Sequence, residues 1–181
     1  PSAFVLYLGL DRPVAGLAHH SLFLHHDWMD HFNKIFQHPG WPDEPSIYVC
    51  ATSKTDPSVA PPGTENLFVL VPVAAGLDDN AERRTRFEAM VLDEVEEQLG
   101  ETIRDHIVVR RAFAHRDFAE RYNAYRGTAV GLAHTMRQTA MFRPRHKSKA
   151  VEGLYFTGHY THPGIGVPMA LISGELVAEE I

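Results

Sequence analysis

Short apolar runs with strand character recur along the first two thirds of the chain. Each run is rich in β-branched or aromatic residues and is bounded by Gly, Pro, Asp or Asn, which is typical of strands. The runs are Ala3–Leu8, Ser21–Leu24, Ser46–Ala51 and Leu67–Val73, and Ile107–Val109 follows later. This part of the sequence therefore predicts five strands.

The longest helical pattern runs from about Ala81 to Leu99. Asp79 or Asn80 can accept the unpaired amide bonds at its start, and Gly100 suits the left-handed residue after its end. Arg and Glu residues fill one face, and apolar residues recur every four positions on the other at Phe87, Val91, Val95 and Leu99. Such a stripe indicates ordinary core packing.

Three other stretches are less regular. Asp27 is expected to cap a short helix that runs to about Phe36, where the His-Pro-Gly sequence at 38–40 stops it. Residues 117–138 carry aromatic and glycine residues without a clean helical period, so we expect turns and loop there. Residues 139–143 are expected to be extended, because residues before a proline avoid the α region.

The end of the chain predicts a strand, a loop and a helix in that order. Gly153–Gly158 is a short apolar run with a glycine at each side, and residues 161–166 form a glycine-punctuated loop. Pro168 then stands where the first helical residue is expected, and Met169–Ile181 continues the helix.

The start of this helix has features that suit ligand binding. A helix that begins at Pro168 leaves several amides without partners, and the positive end of its dipole points at the loop. Gly164 and Gly166 let the backbone approach a ligand closely, which suits a pyrophosphate, a ribityl chain or the electron-rich edge of a flavin ring. A tight turn between a buried strand and a buried helix fits the same pattern, and the residues alone leave both interpretations open. No G-x-G-x-x-G fingerprint occurs in the sequence.

Composition narrows the class of protein. The 181 residues are enough for one domain or two small ones, and the hydrophobic share of 44% is typical of a globular protein. With 17 Lys and Arg against 23 Asp and Glu, the charge balance gives no electrostatic reason to bind nucleic acid. The single cysteine, Cys50, excludes an internal disulfide and is best explained as a small buried residue. No apolar run reaches the roughly 18 residues that a membrane-spanning helix needs.

The sequence offers little support for a metal site or for a serine hydrolase. Adjacent His25 and His26 would point to opposite faces of a strand, so we expect no metal site. The sequence has no G-x-S-x-G elbow and Ser173 falls inside a helix, which argues against a serine hydrolase. The basic groups at 110–111 and 143–147 fit either a solvated face or contact with an anionic membrane.

The run from Gly153 to Pro168 closely resembles the C-terminal flavin motif of the phytoene (carotenoid) desaturase family. Further blocks that resemble the family occur in the same order, at Leu17–His20, Thr55–Ser58, Ala60-Pro61, Asn123–Gly127 and Phe142–Pro144. The resemblance covers essentially the whole chain but only the C-terminal part of the family's members. Because the chain also lacks an initiator Met, we expect it to be a fragment or a processed product.

The resemblance implies an α/β fold, α+β for the isolated fragment, as the C-terminal part of a glutathione-reductase-like FAD/NAD(P)-binding flavoprotein. Residues 1–118 would form part of a substrate-binding domain, a sheet backed by helices. Residues 119–181 would return to complete the FAD-binding domain, with the strand, loop and helix at 153–181. The family's G-x-G-x-x-G segment, which holds the ADP half of FAD, is expected upstream of Pro1.

The resemblance also implies which residues lie at the cofactor. The backbone near Gly158 and His159 would lie by the FAD pyrophosphate and ribityl chain. The first turn of the last helix would point at the isoalloxazine edge, and its residues are Gly166, Val167, Pro168 and Met169. His159 stands where flavoproteins with this tail often carry an acid, so a side-chain role is not assigned to it. No catalytic acid or base is assigned either.

For the full-length enzyme the resemblance implies FAD-dependent desaturation of phytoene or a related C40 isoprenoid hydrocarbon in carotenoid biosynthesis. Carotenoid cis–trans isomerisation, or a non-catalytic lipid- or protein-binding role of the fragment, are the alternatives. The implied partners are the membrane surface, approached peripherally from its cytoplasmic face, and oxygen or a quinone as electron acceptor. A homo-oligomer is left open. The isolated fragment is expected to be inactive.

Overall fold

The five predicted strands are all present in the computed structural model, which describes the whole chain apart from the side chain of residue 140. They are β1 (Ser2–Leu10), β2 (His20–Phe23), β3 (Ile47–Cys50), β4 (Glu65–Val73) and β5 (Ile107–Phe113). Neighbouring strands pair antiparallel, and their order across the sheet is β2-β3-β4-β1-β5. The mixture of sheet and helices agrees with the predicted fold class at this level.

One face of the sheet forms the hydrophobic core of residues 2–128. Alternate residues of β1 and β4 reach this face, and Leu6 on β1 is paired with Val69 on β4. The alternation follows from the period of two in a strand. The opposite face is partly open, and there Tyr7 lies across from Phe68 with 5.5 Å between the ring centroids.

Helix α2 (Ala81–Leu99) lies against the core face with the predicted apolar stripe. Its Phe87 ring meets Phe4 of β1 edge-on, with centroids 5.0 Å apart. The Asn80 side chain accepts an amide bond from the first turn at 2.9 Å, and Gly100 adopts the left-handed conformation at φ 68°. Both predicted ends of this helix are confirmed.

Helix α1 (Trp28–Phe36) begins at the predicted cap, because the Asp27 side chain accepts an amide bond one turn into the helix. Its His31 is buried, with Nε2 2.7 Å from the Pro72 carbonyl, while Nδ1 accepts the Ser46 amide at 3.0 Å. Burial lowers the pKa of His31 below its ordinary value of 6.5. The imidazole is therefore neutral at neutral pH.

The expectation of only turns and loop in residues 117–138 is wrong, because helix α3 (His115–Tyr122) occupies its first part. The Asp117 side chain accepts the Ala114 amide at 3.0 Å, and Asn123 ends the helix in the left-handed conformation. Phe118 packs edge-on against Phe113 of β5 with centroids 4.8 Å apart. Tertiary packing stabilises a helix that is too short to show a clear period.

The prediction that residues 139–143 are extended is also wrong. A 3₁₀ turn spans Ala140–Phe142, and the Phe142 amide bonds to the Thr139 carbonyl at 3.0 Å. The steric effect of Pro144 acts on the residue directly before it, Arg143, and leaves earlier residues free to turn.

Residues 2–128 form one compact unit and residues 129–181 form another. The division predicted between residues 118 and 119 separates a substrate-binding part from a part that completes the FAD-binding domain. This division is defined by ligand binding, so it stays a prediction. In the second unit helix α4 (Val167–Glu180) starts one residue before Pro168, the predicted first helical residue. None of the helices in the described chain is long and apolar enough to cross a membrane.

The predicted strand at Gly153–Gly158 is reduced to a single bridge between Tyr155 and Lys147. The Phe156 amide bonds to the His146 carbonyl at 2.7 Å and the Ser148 amide to the Leu154 carbonyl at 2.9 Å. A strand needs neighbouring backbone along its whole length, and this short connector pairs with only part of the run.

Candidate functional site

Helix α4 starts at an exposed and uncapped end. Gly166 precedes it with φ 117° and ψ 155°, a backbone conformation that is essentially restricted to glycine. Among the described residues no side chain caps the first turn, and the Val167 side chain is 77% exposed. The amides of the first turn are thus available to an anion or an electron-rich ligand edge.

Gly158 offers a second open stretch of backbone. Its φ is 104°, and a Cβ added there would meet no atom of the described chain within 4 Å. Its amide donates to the Ser173 hydroxyl oxygen at 3.0 Å. The glycine is therefore required by backbone conformation, and space remains beside it for a ligand.

Ser173 attaches this loop to α4 through a group of hydroxyls that we call the Ser173 cluster (Ser173, Thr157, Thr161 and the Gly158 amide), in which Ser173 and Thr161 are buried and Thr157 is exposed. The Ser173 oxygen lies 3.2 Å from Thr157 Oγ1 and 3.0 Å from Thr161 Oγ1. Ser173 is completely buried in the interior of α4. Burial leaves its hydroxyl unavailable to attack a substrate, in agreement with the argument against a serine hydrolase.

Arg143 lies beneath the same loop with only 2% of its surface exposed. Its guanidinium donates to the carbonyls of Thr161 at 3.0 Å and Gln138 at 2.9 Å, and also to the carbonyl of His159. Burial lowers the pKa of Arg143, but a guanidinium keeps its proton in proteins. Since no carboxylate of the described chain pairs with it, the site contains an uncompensated positive charge.

This burial corrects one expectation from the sequence. Residues 143–147 were expected to form a solvated or membrane-facing basic group, yet Arg143 and His146 are both buried. The His146 ring nitrogens lie 2.9 Å from the His162 carbonyl and 3.1 Å from a Glu180 carboxylate oxygen. The group is therefore divided between internal and exposed side chains.

His159 is half-buried, and its ring lies over Gly131, where an added Cβ would come within 2.6 Å of the imidazole. Burial and the positive charge of Arg143 lower the pKa of His159, so the imidazole is neutral at neutral pH. Gly158, His159 and Gly166–Met169 all lie in the unit of residues 129–181. Their contact with a cofactor remains a prediction.

Sequence reasoning missed the positioning roles of Arg143 and Ser173. An arginine in the otherwise apolar stretch Met141–Pro144 is a weak signal of burial. A serine in the interior of an apolar helix, as at Ser173, is a comparable signal. Neither signal identifies the partners, because these are brought together only by the fold.

The unit of residues 2–128 has an apolar pocket of about 400 Å³ on the open side of its sheet. Its lining is mostly hydrophobic and includes Tyr7, Val59, Pro61, Phe68, Val108 and Val109. Val108 and Val109 of β5 are both largely exposed. Such a pocket suits an apolar group without hydrogen-bonding atoms.

Comparisons with known proteins extend these observations. The chain is 56% identical over 181 residues to a carotenoid 3,4-desaturase of Haloarcula japonica, covering 100% of this chain and 37% of that protein. It is 34% identical over 181 residues to a lycopene-forming phytoene desaturase of Pseudescherichia vulneris, covering 98% and 37%. The crystal structure of an oxidoreductase from Methanosarcina mazei aligns with a TM-score of 0.51 at 19% identity, covering 99% of this chain and 34% of that one.

The chain thus spans little more than a third of the length of these curated relatives. The solved structure supports the fold alone at this identity. A family model described as flavin containing amine oxidoreductase matches residues 1–181, which is the entire chain. This match agrees with the resemblance carried by Gly153–Pro168. The chain therefore belongs to the flavin containing amine oxidoreductase family.

Proposed function

We propose that the full-length protein is an FAD-dependent carotenoid desaturase. The observation that carries the proposal is the 56% identity to a carotenoid 3,4-desaturase over all 181 residues, a range that contains the exposed helix start after Gly166. The relatives described above are desaturases, so they favour this reaction over carotenoid isomerisation. The full-length fold is proposed to be glutathione-reductase-like.

The residues present fit a flavin. The open backbone at Gly158 and the uncapped amides of Val167 and Met169 are suited to hold its ribityl chain and ring edge. The buried charge of Arg143 favours an electron-rich ligand nearby. A bound FAD supplies the two-electron oxidising chemistry of the reaction. Oxygen or a quinone is the proposed final electron acceptor.

The proposed substrate is a C40 polyene. Desaturation breaks one C–H bond on each of two adjacent saturated carbons and forms a second bond between those carbons, and the two hydrogens with their two electrons would pass to the flavin and from it to the proposed final acceptor. A hydrocarbon has no polar group to recognise, so its binding must come from apolar burial. The apolar pocket beside Tyr7 and Phe68 can take one end of such a chain. The chain is 56% identical to the carotenoid 3,4-desaturase and 34% identical to the phytoene desaturase. This difference favours a carotenoid with a saturated 3,4 bond as the substrate over phytoene.

Peripheral contact with the cytoplasmic face of the membrane is part of the proposal. Helix α1 exposes Trp28, Met29, Phe32 and Phe36, and each of these side chains is more than 40% exposed. Aromatic and apolar side chains on one helix face are typical of insertion at the bilayer surface. A polyene dissolved in the bilayer could be taken up at such a contact.

The test is to express the full-length protein and to follow polyene products by chromatography and absorption. Gly166→Ala is expected to lower the amount of FAD retained after gel filtration, because its backbone conformation costs a non-glycine residue about 1–3 kcal/mol. Gly153→Ala is the matched control, since Gly153 also has a positive φ of 73° and open space around it.

A carotenoid product with one more conjugated double bond, formed by wild type and reduced in Gly166→Ala, would support the proposal. FAD-loaded protein that converts no C40 polyene would overturn the substrate assignment. Equal FAD retention in both glycine variants and wild type would overturn the role of the helix start.

A further inference from the structure

Two histidines and the single cysteine meet at the edge of the sheet. His20, the first residue of β2, is the register partner of Cys50, the last residue of β3, and His19 directly precedes β2. One ring nitrogen of each histidine and the Cys50 Sγ all lie within 4.8 Å of one another. We propose that His19, His20 and Cys50 bind a zinc-type metal ion.

This site is not predicted by the sequence pattern. Adjacent residues within a strand point to opposite faces, which is why the similar pair His25 and His26 predicts no metal site. His19 lies in a bend just outside β2, so strict alternation is not imposed on it. The His19 and His20 rings lie 4.3 Å apart as a result.

Each histidine also has a hydrogen bond that fixes its ring. His20 Nδ1 lies 2.7 Å from the Tyr48 hydroxyl, and His19 Nδ1 lies 2.5 Å from the Thr55 hydroxyl. Metal-binding histidines commonly hold the second ring nitrogen in this way, which orients the first nitrogen toward the ion. With Nδ1 engaged, Nε2 of each ring is the natural ligand atom.

The donor set selects the class of ion. Two imidazole nitrogens and a thiolate sulfur suit Zn²⁺, or copper as its competitor, whereas Mg²⁺ and Ca²⁺ prefer oxygen. Ligand bonds of about 2.0–2.3 Å require the three atoms to approach one another somewhat more closely than they do here. His20 is exposed, so there is room for its ring to shift toward the ion. Three protein ligands leave one tetrahedral position for water.

The test uses the untagged full-length protein, stripped with a chelator and titrated with Co²⁺ and then Zn²⁺. One equivalent of Co²⁺ should give a thiolate charge-transfer band, which Zn²⁺ should remove. Cys50→Ser should abolish the band, and His20→Ala should weaken Zn²⁺ affinity at least ~10-fold in competition with a chromophoric chelator. His26→Ala is the matched control, because its ring lies 4.4 Å from that of His25 as part of another adjacent pair.

A second measurement distinguishes the loss of metal binding from the unfolding of a variant. Zn²⁺ should protect Cys50 from alkylation in wild type and in His26→Ala, but not in His20→Ala, while the metal-free variants unfold at the same temperature as wild type. Unchanged Zn²⁺ affinity in both Cys50→Ser and His20→Ala would overturn the site. An equal loss in His26→Ala would overturn it as well. The site is independent of the proposed flavin chemistry.

Discussion

The two units of the chain are stabilised in opposite ways. Among the described residues, every buried hydrophobic side chain lies between Ala3 and Ala114, within the first unit. The first unit also buries polar side chains such as His31 and Glu65, but the buried side chains described in the second unit, residues 129–181, are all polar, namely Arg143, His146, Thr161 and Ser173. One unit is a conventional hydrophobic core, and the other is a hydrogen-bonded loop system around a helix.

The difference extends to the surface. Helix α4 of the second unit is apolar on most of its faces, and Leu171 is 71% exposed. A hydrophobic helix without apolar partners is unusual in water. The first unit therefore has the contacts of a self-sufficient fold, whereas the second has the surface of a part that packs against further protein.

The largest effect on stability is expected from Phe87→Ala in the core of the first unit. The substitution removes a buried ring that packs against Phe4, so we expect a loss of about 3–5 kcal/mol in the free energy of unfolding. Chemical denaturation followed by circular dichroism measures it. Val108→Ala, at an exposed position of β5, should change stability by less than about 0.5 kcal/mol. Equal effects of the two substitutions would contradict the assignment of the core.

The exposed face of α4 gives the next largest effect. We expect the 181-residue chain to self-associate through this helix, and Leu171→Ser should weaken the association more than tenfold, because burying a leucine contributes about 1.5–3 kcal/mol. Sedimentation over a range of concentrations measures it. A chain that stays monomeric throughout would contradict the expectation.

The Ser173 cluster tests the polar unit directly. Ser173→Ala leaves the Gly158 amide and two threonine hydroxyls without their shared acceptor, so local stability should fall by about 1–3 kcal/mol. Hydrogen exchange at the Gly158 amide should speed up while exchange in the first unit stays unchanged. Gly174→Ala, at the next helix position, has room for its methyl group 3.8 Å from Thr157 and should not weaken the helix. Slow exchange at Gly158 in Ser173→Ala would refute the role of the cluster.

The smallest effect concerns pH. His31 has a lowered pKa, so below 6.5 the unfolded chain takes up a proton that the folded chain resists. Stability should therefore fall as the pH drops below 6.5, and His31→Gln should make this fall shallower. Urea unfolding across that range measures it, with exposed His26→Gln as the control that keeps the wild-type slope. A wild-type slope in His31→Gln would exclude His31 as the source.

Local signals were enough for the strands and the long helix of the first unit, but they missed α3 there and were insufficient for much of the second unit. Asn80, Gly100 and the apolar stripe define both ends of α2 because capping and periodicity act within a few residues. The run at Gly153–Gly158 has the composition of a strand, but pairing depends on backbone elsewhere in the chain. Burial of Arg143 likewise depends on carbonyls contributed by distant residues such as Thr161.

The candidate site shows the same limit. The glycines and the helix start around Gly166 could be predicted because a positive φ and an uncapped end leave a trace in the sequence. The meeting of His20 with Cys50 could not, since it depends on the register of β2 against β3. A site that depends on strand register cannot be predicted until the pairing of the strands is known.

The contacts of Arg143 also determine which way the loop presents its donors. In a planar trans peptide the carbonyl and the following N–H point in opposite directions. The carbonyls of His159 and Thr161 turn inward to the guanidinium, so the N–H groups of Tyr160 and His162 turn away from it. A single interior cation thereby sets the polarity of an entire turn of backbone, and neutralising it would let those two amides rotate out of alignment.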